Sequence, residues 1–296
     1  MNFYTMLYIK DKDVKSTVSE NGLANILNYI KCCKTLDDSL KKYGFRITIL
    51  TNEPEIISFY ENQIEIEKIE FKLKVPDDIK FYAAHYKIDV YNYFSKLDTY
   101  SILLDNDIIC INDMPENVVT SVAENIPMYY DITDQVYPAY SRKRIIDDKS
   151  LIMEKYSLGI WAGGEFIGGD NKFFSEIYKI CMNYWNNYLM NYKSIHHQSD
   201  ETVTSCAIEE YLTSGKFIFN VGTVGGIARY WSVKTLHKAR PLNTLYDNFL
   251  LHIPADKEYL CNPGHNIDNY MKSYQKYLRI SVWINKIKRK MKNWIR

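Results

Sequence analysis

Thr99-Tyr-Ser-Ile-Leu-Leu-Asp105-Asn106-Asp107-Ile-Ile-Cys-Ile111 is the stretch from which the fold is read. One apolar run enters the acidic triplet and a second leaves it, as in buried strands interrupted by a polar break. If strand geometry holds through the triplet, Asp105 and Asp107 point to one side and Asn106 points away. Two unpaired carboxylates at the end of a buried strand repel each other and lose hydration. A divalent cation removes that penalty, and hard oxygen ligands suit Mg2+ or Mn2+. The plainer reading is an Asp/Asn turn closed by its own side-chain to backbone hydrogen bonds.

Upstream, alternation predicts a strand over Phe3–Ile9, and apolar spacing predicts a helix over Asn21–Tyr43, stopped at Gly44. Arg46–Leu50 reads as a second strand closed by Thr51-Asn52-Glu53-Pro54, Ile64–Phe71 as a third, Phe81–Leu97 as a helix and Ser101–Leu104 as the strand delivering the triplet. The order β-α-β-(α)-β-α-β implies an α/β fold: a mostly parallel, Rossmann-like central sheet flanked by helices on both faces. Such sheets bind ligands beyond the carboxyl ends of their strands, where the triplet falls.

Downstream, residues 114–157 read as less regular, with a strand at Met128–Ile132 and a polar loop at Asp147-Asp148-Lys149-Ser150. Two glycine pairs follow in Trp161-Ala-Gly163-Gly164-Glu-Phe-Ile-Gly168-Gly169. They mark either bulges in a bent strand or close backbone approach to a ligand. After a helix over Lys172–Tyr192 comes His196-His197-Gln-Ser-Asp200-Glu201, leading into a helix over Thr202–Tyr211. An acidic pair there is ordinary cap and macrodipole chemistry, and adjacent histidines suit one metal poorly. Phe217–Val221 and Phe249–Ile253 read as short strands. His252, emerging from the second, reads first as a hydrogen-bonded core residue.

Net charge is +1, which by itself says nothing about partners; no nucleic-acid partner is expected. The six cysteines include no Cys-x-x-Cys pair, which disfavours a zinc knuckle and suits a reducing compartment. Neither a signal peptide nor a membrane span is expected. Residues 267–296 form a separate block with nine Lys or Arg against one acid, Asp268. Ile280, Trp283, Ile284, Ile287, Met291, Trp294 and Ile295 fall on one helical face, with Lys286, Lys288, Arg289, Lys290 and Lys292 over the rest. A C-terminal basic amphipathic helix of this kind suits an anionic membrane surface, making the protein peripheral on the cytoplasmic face. Docking on the catalytic body or on another subunit would bury the same stripe equally well.

Together these residues resemble the retaining, metal-dependent glycosyltransferases of the GT-A fold, families six and eight. The Asp-x-Asp triplet, Leu7-Tyr8-Ile9-Lys10, Ile47-Thr-Ile-Leu-Thr51-Asn52-Glu53-Pro54, the double glycine pair and Asp200-Glu201 carry the likeness. His252-x-x-Ala255-x-Lys257 is similar to the family-eight His-x-x-Gly-x-x-Lys segment, with Ala for Gly and the Lys one place early. The resemblance implies a GT-A catalytic domain over 1–266, with a nucleotide-binding half at 1–107 and an acceptor-binding half at 108–266. It implies Mn2+ (or Mg2+) on Asp105, Asp107 and His252. Tyr8, Ile9, Asn52, Lys87, Asn106 and Lys257 would hold the nucleotide-sugar donor, a UDP-sugar. Trp161, Gly163, Gly164 and His197 would line the sugars, and Glu201 with Asp200 would serve beneath the anomeric carbon. The acceptor expected is an oligosaccharide or lipid-linked glycan.

Three other readings remain open at the level of sequence. An inverting GT-A enzyme would use Asp200 or Glu201 as general base on the acceptor hydroxyl. A sugar nucleotidyltransferase also uses a parallel sheet and paired aspartates, but Lys10-Asp-Lys-Asp-Val-Lys-Ser after the first strand lacks glycine. A membrane-associated scaffold leaves the triplet, the glycine pairs and Asp200-Glu201 unexplained together.

Overall fold

A computed structural model describes residues 1–10, 20–262 and 269–280. The first half alternates strictly. β1 (Asn2–Leu7), a helix (Glu20–Lys41), β2 (Ile47–Thr51), a helix (Pro54–Tyr60), β3 (Glu65–Lys68), a helix (Lys87–Phe94) and β4 (Ser101–Leu104) follow in order. β5 (Ile108–Cys110), β6 (Met128–Asp131), β7 (Ala162–Gly169), β8 (Phe219–Asn220), β9 (Ile227–Arg229) and β10 (Leu250–His252) complete the strands. Seven strands form one sheet in the order β3-β2-β1-β4-β7-β6-β8, and β5-β10-β9 form a second. In the large sheet β7 alone runs against the rest. The mostly parallel α/β architecture expected from the element order is therefore present.

The large sheet is buried on both faces because its strands are apolar at successive positions. On β4, Leu103 packs into one core with Val90, Tyr91, Phe174 and Val203. Its neighbours Ile102 and Leu104 pack into the other with Ile26, Ile30 and Leu36. Alternate side chains leave a strand on opposite faces, so helices Lys87–Phe94, Asn171–Asn191 and Asp200–Thr213 cover one side and Glu20–Lys41 the other.

Several expected elements differ in detail. The helix expected over Phe81–Leu97 is a 3-10 turn (Tyr82–Tyr86) followed by Lys87–Phe94, because Phe81 sits at φ 53° and breaks the entry. Residues 114–157 hold three helices, Glu116–Ala123, Thr133–Tyr140 and Arg142–Met153. The polar loop expected at Asp147–Ser150 lies inside the last of these. There Lys149 is wholly buried, paired with Glu209 at 2.7 Å and donating to the carbonyl of Ser205 at 3.1 Å. A polar run reads as a loop only when nothing satisfies it. Residues 270–280 are helical, and Tyr270 and Tyr274 pack beside Tyr259 and Leu260 of the body. Trp283, Ile284 and the rest of the basic stripe, 281–296, lie outside the described residues.

Candidate active site

The acidic triplet joins the two sheets. β4 ends at Leu104 in the large sheet and β5 begins at Ile108 in the small one, so the chain must turn between them. Strand geometry therefore stops at Asp105, and Asn106 faces the same cleft as its neighbours instead of pointing away. The carboxylates converge nonetheless, because strand pairing brings His252 opposite Ile108. Ligand atoms of Asp105, Asp107 and His252 lie within 4.8 Å of one another. They border a cleft of about 680 Å³, also lined by Tyr8, Lys87, Gly164, His197, Asp200, Glu201 and Lys257.

Neither carboxylate is unpaired, contrary to the sequence reading. Lys87 Nζ stands 2.7 Å from Asp105 and 3.1 Å from Asp200, and donates to the Gly164 carbonyl at 2.8 Å. Asp107 meets His252 Nε2 at 3.0 Å and Lys257 Nζ at 2.8 Å. Five carboxylates (Asp105, Asp107, Glu165, Asp200 and Glu201) gather here around three permanent cations, Lys87, Arg229 and Lys257. With His252 neutral the surplus is two negative charges, which one divalent ion cancels. Two carboxylates and an imidazole are donors that Mn2+ or Mg2+ accepts, so the residues fit such an ion. Burial pulls the His252 pKa down, but Asp107 and Glu165 outweigh it and hold it at about 9, so an ion on this ring competes with a proton.

Glu201 opens the helix Asp200–Thr213 behind the cap Ser199, whose hydroxyl accepts from Glu201 N. Oε1 accepts from Arg229 Nη2 at 2.9 Å and from Gly164 N at 3.1 Å, and Oε2 accepts from Trp161 Nε1 at 3.0 Å. Burial raises its pKa, but Arg229 and His197 reverse the effect and bring it to about 2. Asp200 goes the other way. Burial pushes its pKa up to about 6 despite Lys87, whose Nζ stands 3.1 Å from its Oδ2.

The glycine pairs lie on one continuous strand, and the first pair makes room for this cluster. A Cβ on Gly164 would stand 2.9 Å from Asp200 Oδ2 and 3.0 Å from Lys87 Nζ. The second pair serves packing, since a Cβ on Gly169 would enter the Phe173 ring at 2.2 Å. Ile9 and Asn52 are not at the cleft. The Asn52 amide is bonded both ways to the Ile9 backbone, at 2.9 and 2.8 Å, which turns the chain beside Tyr8. Trp161 and Gly163 also stay behind the lining, the former acting through Glu201.

Two site residues escape sequence reasoning. Glu165 is fully buried in β7 and Arg229 ends β9, and they form a two-pronged ion pair at 2.7 and 2.5 Å. A lone acid inside an otherwise glycine and apolar strand is a signal for Glu165; nothing in Ile227-Ala-Arg229 marks Arg229.

No protein-family model matches the chain, and no curated protein matches it in sequence. Solved structures do match. The galactosyltransferase LgtC, in complex with donor and acceptor sugar analogs, aligns at TM-score 0.53 and 10% identity, over 88% of this chain and 95% of that one. The fold is GT-A. An active-site mutant of LgtC aligns at TM-score 0.51 and 10% identity, over 86% of this chain and 88% of that one. The apo bifunctional glycosyltransferase WbbM aligns at TM-score 0.54 and 8% identity, over 92% of this chain and 51% of that one, so this chain spans about half of WbbM. On the GT-A frame, the Asp105–Asp107–His252 cluster lies where the parallel strands end.

Proposed function

We propose that the chain is a metal-dependent glycosyltransferase. It moves a hexose or N-acetylhexosamine from a UDP-sugar to a hydroxyl of a glycan acceptor, with retention at the anomeric carbon. One observation carries this reading: a GT-A cleft that holds a fitting metal cluster and an ionised, hydrogen-bonded carboxylate together.

Departure of the diphosphate builds negative charge; Asp105, Asp107 and His252 would hold the divalent ion, which would supply Lewis-acid stabilisation of that charge. Lys87 and Lys257 add positive charge from either side. The sugar becomes oxocarbenium-like, which an ionised carboxylate favours. Glu201 stays ionised because Arg229 opposes the effect of burial. With both oxygens held by donors, it acts as a fixed electrostatic partner more readily than as a free nucleophile. Asp200, which lines the cleft beside Lys87, is placed to accept from a sugar hydroxyl. A carboxylate of pKa about 2 is a poor general base, which argues against inversion through Glu201. Inversion with Asp200 as base is the second reading, favoured by its pKa of about 6.

Hydrolysis of a nucleotide-sugar panel with and without Mn2+ tests the activity, and the product anomer by NMR tests its stereochemistry. No Mn2+-dependent turnover on any donor would remove the reading, and an inverted anomer would transfer the role to Asp200. The basic segment 281–296 suggests a peripheral station on the cytoplasmic side of a membrane, with a lipid-linked or surface glycan such as lipopolysaccharide as acceptor.

A further inference from the structure

We infer that the buried Glu165–Arg229 pair is a positioning bridge that orients the metal-ligand candidate His252 and the cleft carboxylate Glu201 as one unit. The inference rests on the metal site proposed above. Glu165 Oε1 accepts from Arg229 Nε at 2.7 Å and meets His252 Nδ1 at 3.2 Å, while Oε2 accepts from Arg229 Nη2 at 2.5 Å. The same Nη2 donates to Glu201 Oε1 at 2.9 Å. The Glu165 carbonyl also accepts from Asp105 N at 3.3 Å, so one residue touches both sides of the metal cluster.

The fold prepares this contact from two sheets. Arg229 and His252 are register partners at the ends of β9 and β10, and Glu165 reaches them from β7 of the large sheet. Position 163 must lack a side chain for that reach, because a Cβ on Gly163 would lie 2.3 Å from Glu165 Oε2.

Stability alone does not account for the pair. Burying two ions carries a desolvation penalty, and apolar replacements of similar volume are often neutral or stabilising. A ligating imidazole, however, needs its second nitrogen held, which selects the tautomer and the ring plane. With Nε2 turned to Asp107, Nδ1–H is the atom left for Glu165 to hold. Arg229 offsets the Glu165 charge, so the hold adds no net negative charge at the ion site. Its shared Nη2 carries the same geometry to Glu201.

The test titrates Mn2+ alone into the purified full chain and follows free Mn2+ by electron paramagnetic resonance. Glu165→Gln, folded by circular dichroism, should bind Mn2+ about 10–100-fold more weakly, and Glu165→Asp should recover part of the loss. Arg229→Lys keeps the charge but not the fork, and should lower Mn2+ affinity and donor turnover together. Glu201→Gln should lower turnover alone. Unchanged Mn2+ affinity in folded Glu165→Gln overturns the bridge and leaves the metal site standing, whereas no Mn2+ binding by the unmodified chain overturns both. If Glu165→Gln does not fold, the unmodified chain decides. With Mg2+ added, His252 Nδ1–H should persist as a downfield, nitrogen-coupled proton resonance, and its absence would overturn the bridge.

Discussion

Asp107 carries more of the site than its place in a common motif suggests. It is buried and pairs with both His252 and Lys257, so removing its side chain would take a counter-charge from each. Asp107→Asn keeps the volume and loses the charge. Transfer should fall by at least about 10³-fold, the scale of a lost Lewis-acid contribution of several kcal/mol. A kcat/KM within tenfold of the parent, with Mn2+ dependence intact, would exclude Asp107 as a ligand. Gly164 is the second informative residue. Gly164→Ala places a methyl against Asp200 Oδ2 and Lys87 Nζ, and the flexible lysine end can yield. The fold should lose on the order of 1 kcal/mol, while turnover should drop about 100-fold because the lysine and acid shift together. Chemical denaturation and donor hydrolysis on the same preparation separate the two effects.

At the scale of elements, the 3-10 turn Tyr82–Tyr86 fixes the start of the helix that carries Lys87. Its anchor is His85, wholly buried, with Nδ1 on the carbonyls of Phe81 and Tyr82 and Nε2 2.7 Å from the Tyr188 hydroxyl. Those partners assign the proton to Nδ1 and leave Nε2 as acceptor. Burial lowers the His85 pKa from 6.5 to about 4. Between those values the unfolded chain takes up a proton that the folded chain refuses. The contribution is therefore complete above pH 6.5 and is lost as pH falls toward 4, by on the order of 3 kcal/mol in all. Urea midpoints from pH 7 to 4.5 should show this slope. His85→Gln should lower stability at pH 7 yet flatten the slope, and an unchanged slope would mean that other groups dominate it.

For the whole molecule, the C-terminal region divides in two. Tyr274 is wholly buried, donates to Asp256 at 2.6 Å, and shares an aromatic cluster with Tyr259, Tyr270 and Tyr277. This part belongs to the packed body, so a chain ending at 268 should melt about 10 °C lower, as expected for a loss on the order of 5 kcal/mol. If 281–296 makes no contact with the body, a chain ending at 280 should melt within about 2 °C of the parent. If 281–296 is the membrane contact, that shorter truncation should abolish co-sedimentation with vesicles containing anionic lipid and leave donor hydrolysis in solution unchanged. Retained sedimentation would assign the contact elsewhere. Among the described residues no helix is long and apolar enough to cross a membrane.

The alternation of apolar strands with helices, and the polar triplet after Leu104, are legible in the linear chain because they depend on spacing along one element. That information was enough for the parallel half of the sheet, for the cleft's position beyond the strand ends, and for Asp105, Asp107, Asp200 and Glu201 as its acids. It failed at Asp147–Ser150, because a buried Lys149 depends on Glu209, sixty residues away along the chain. It also failed for Asn52, whose amide is taken by Ile9, and for Arg229, which carries no local mark. Charge pairing is a matter of distance in space, and spacing along a chain does not report it. Which lysine meets which aspartate, and that Glu165 joins the two halves of the site, follow from two sheets meeting at the triplet, an arrangement that only the tertiary structure decides.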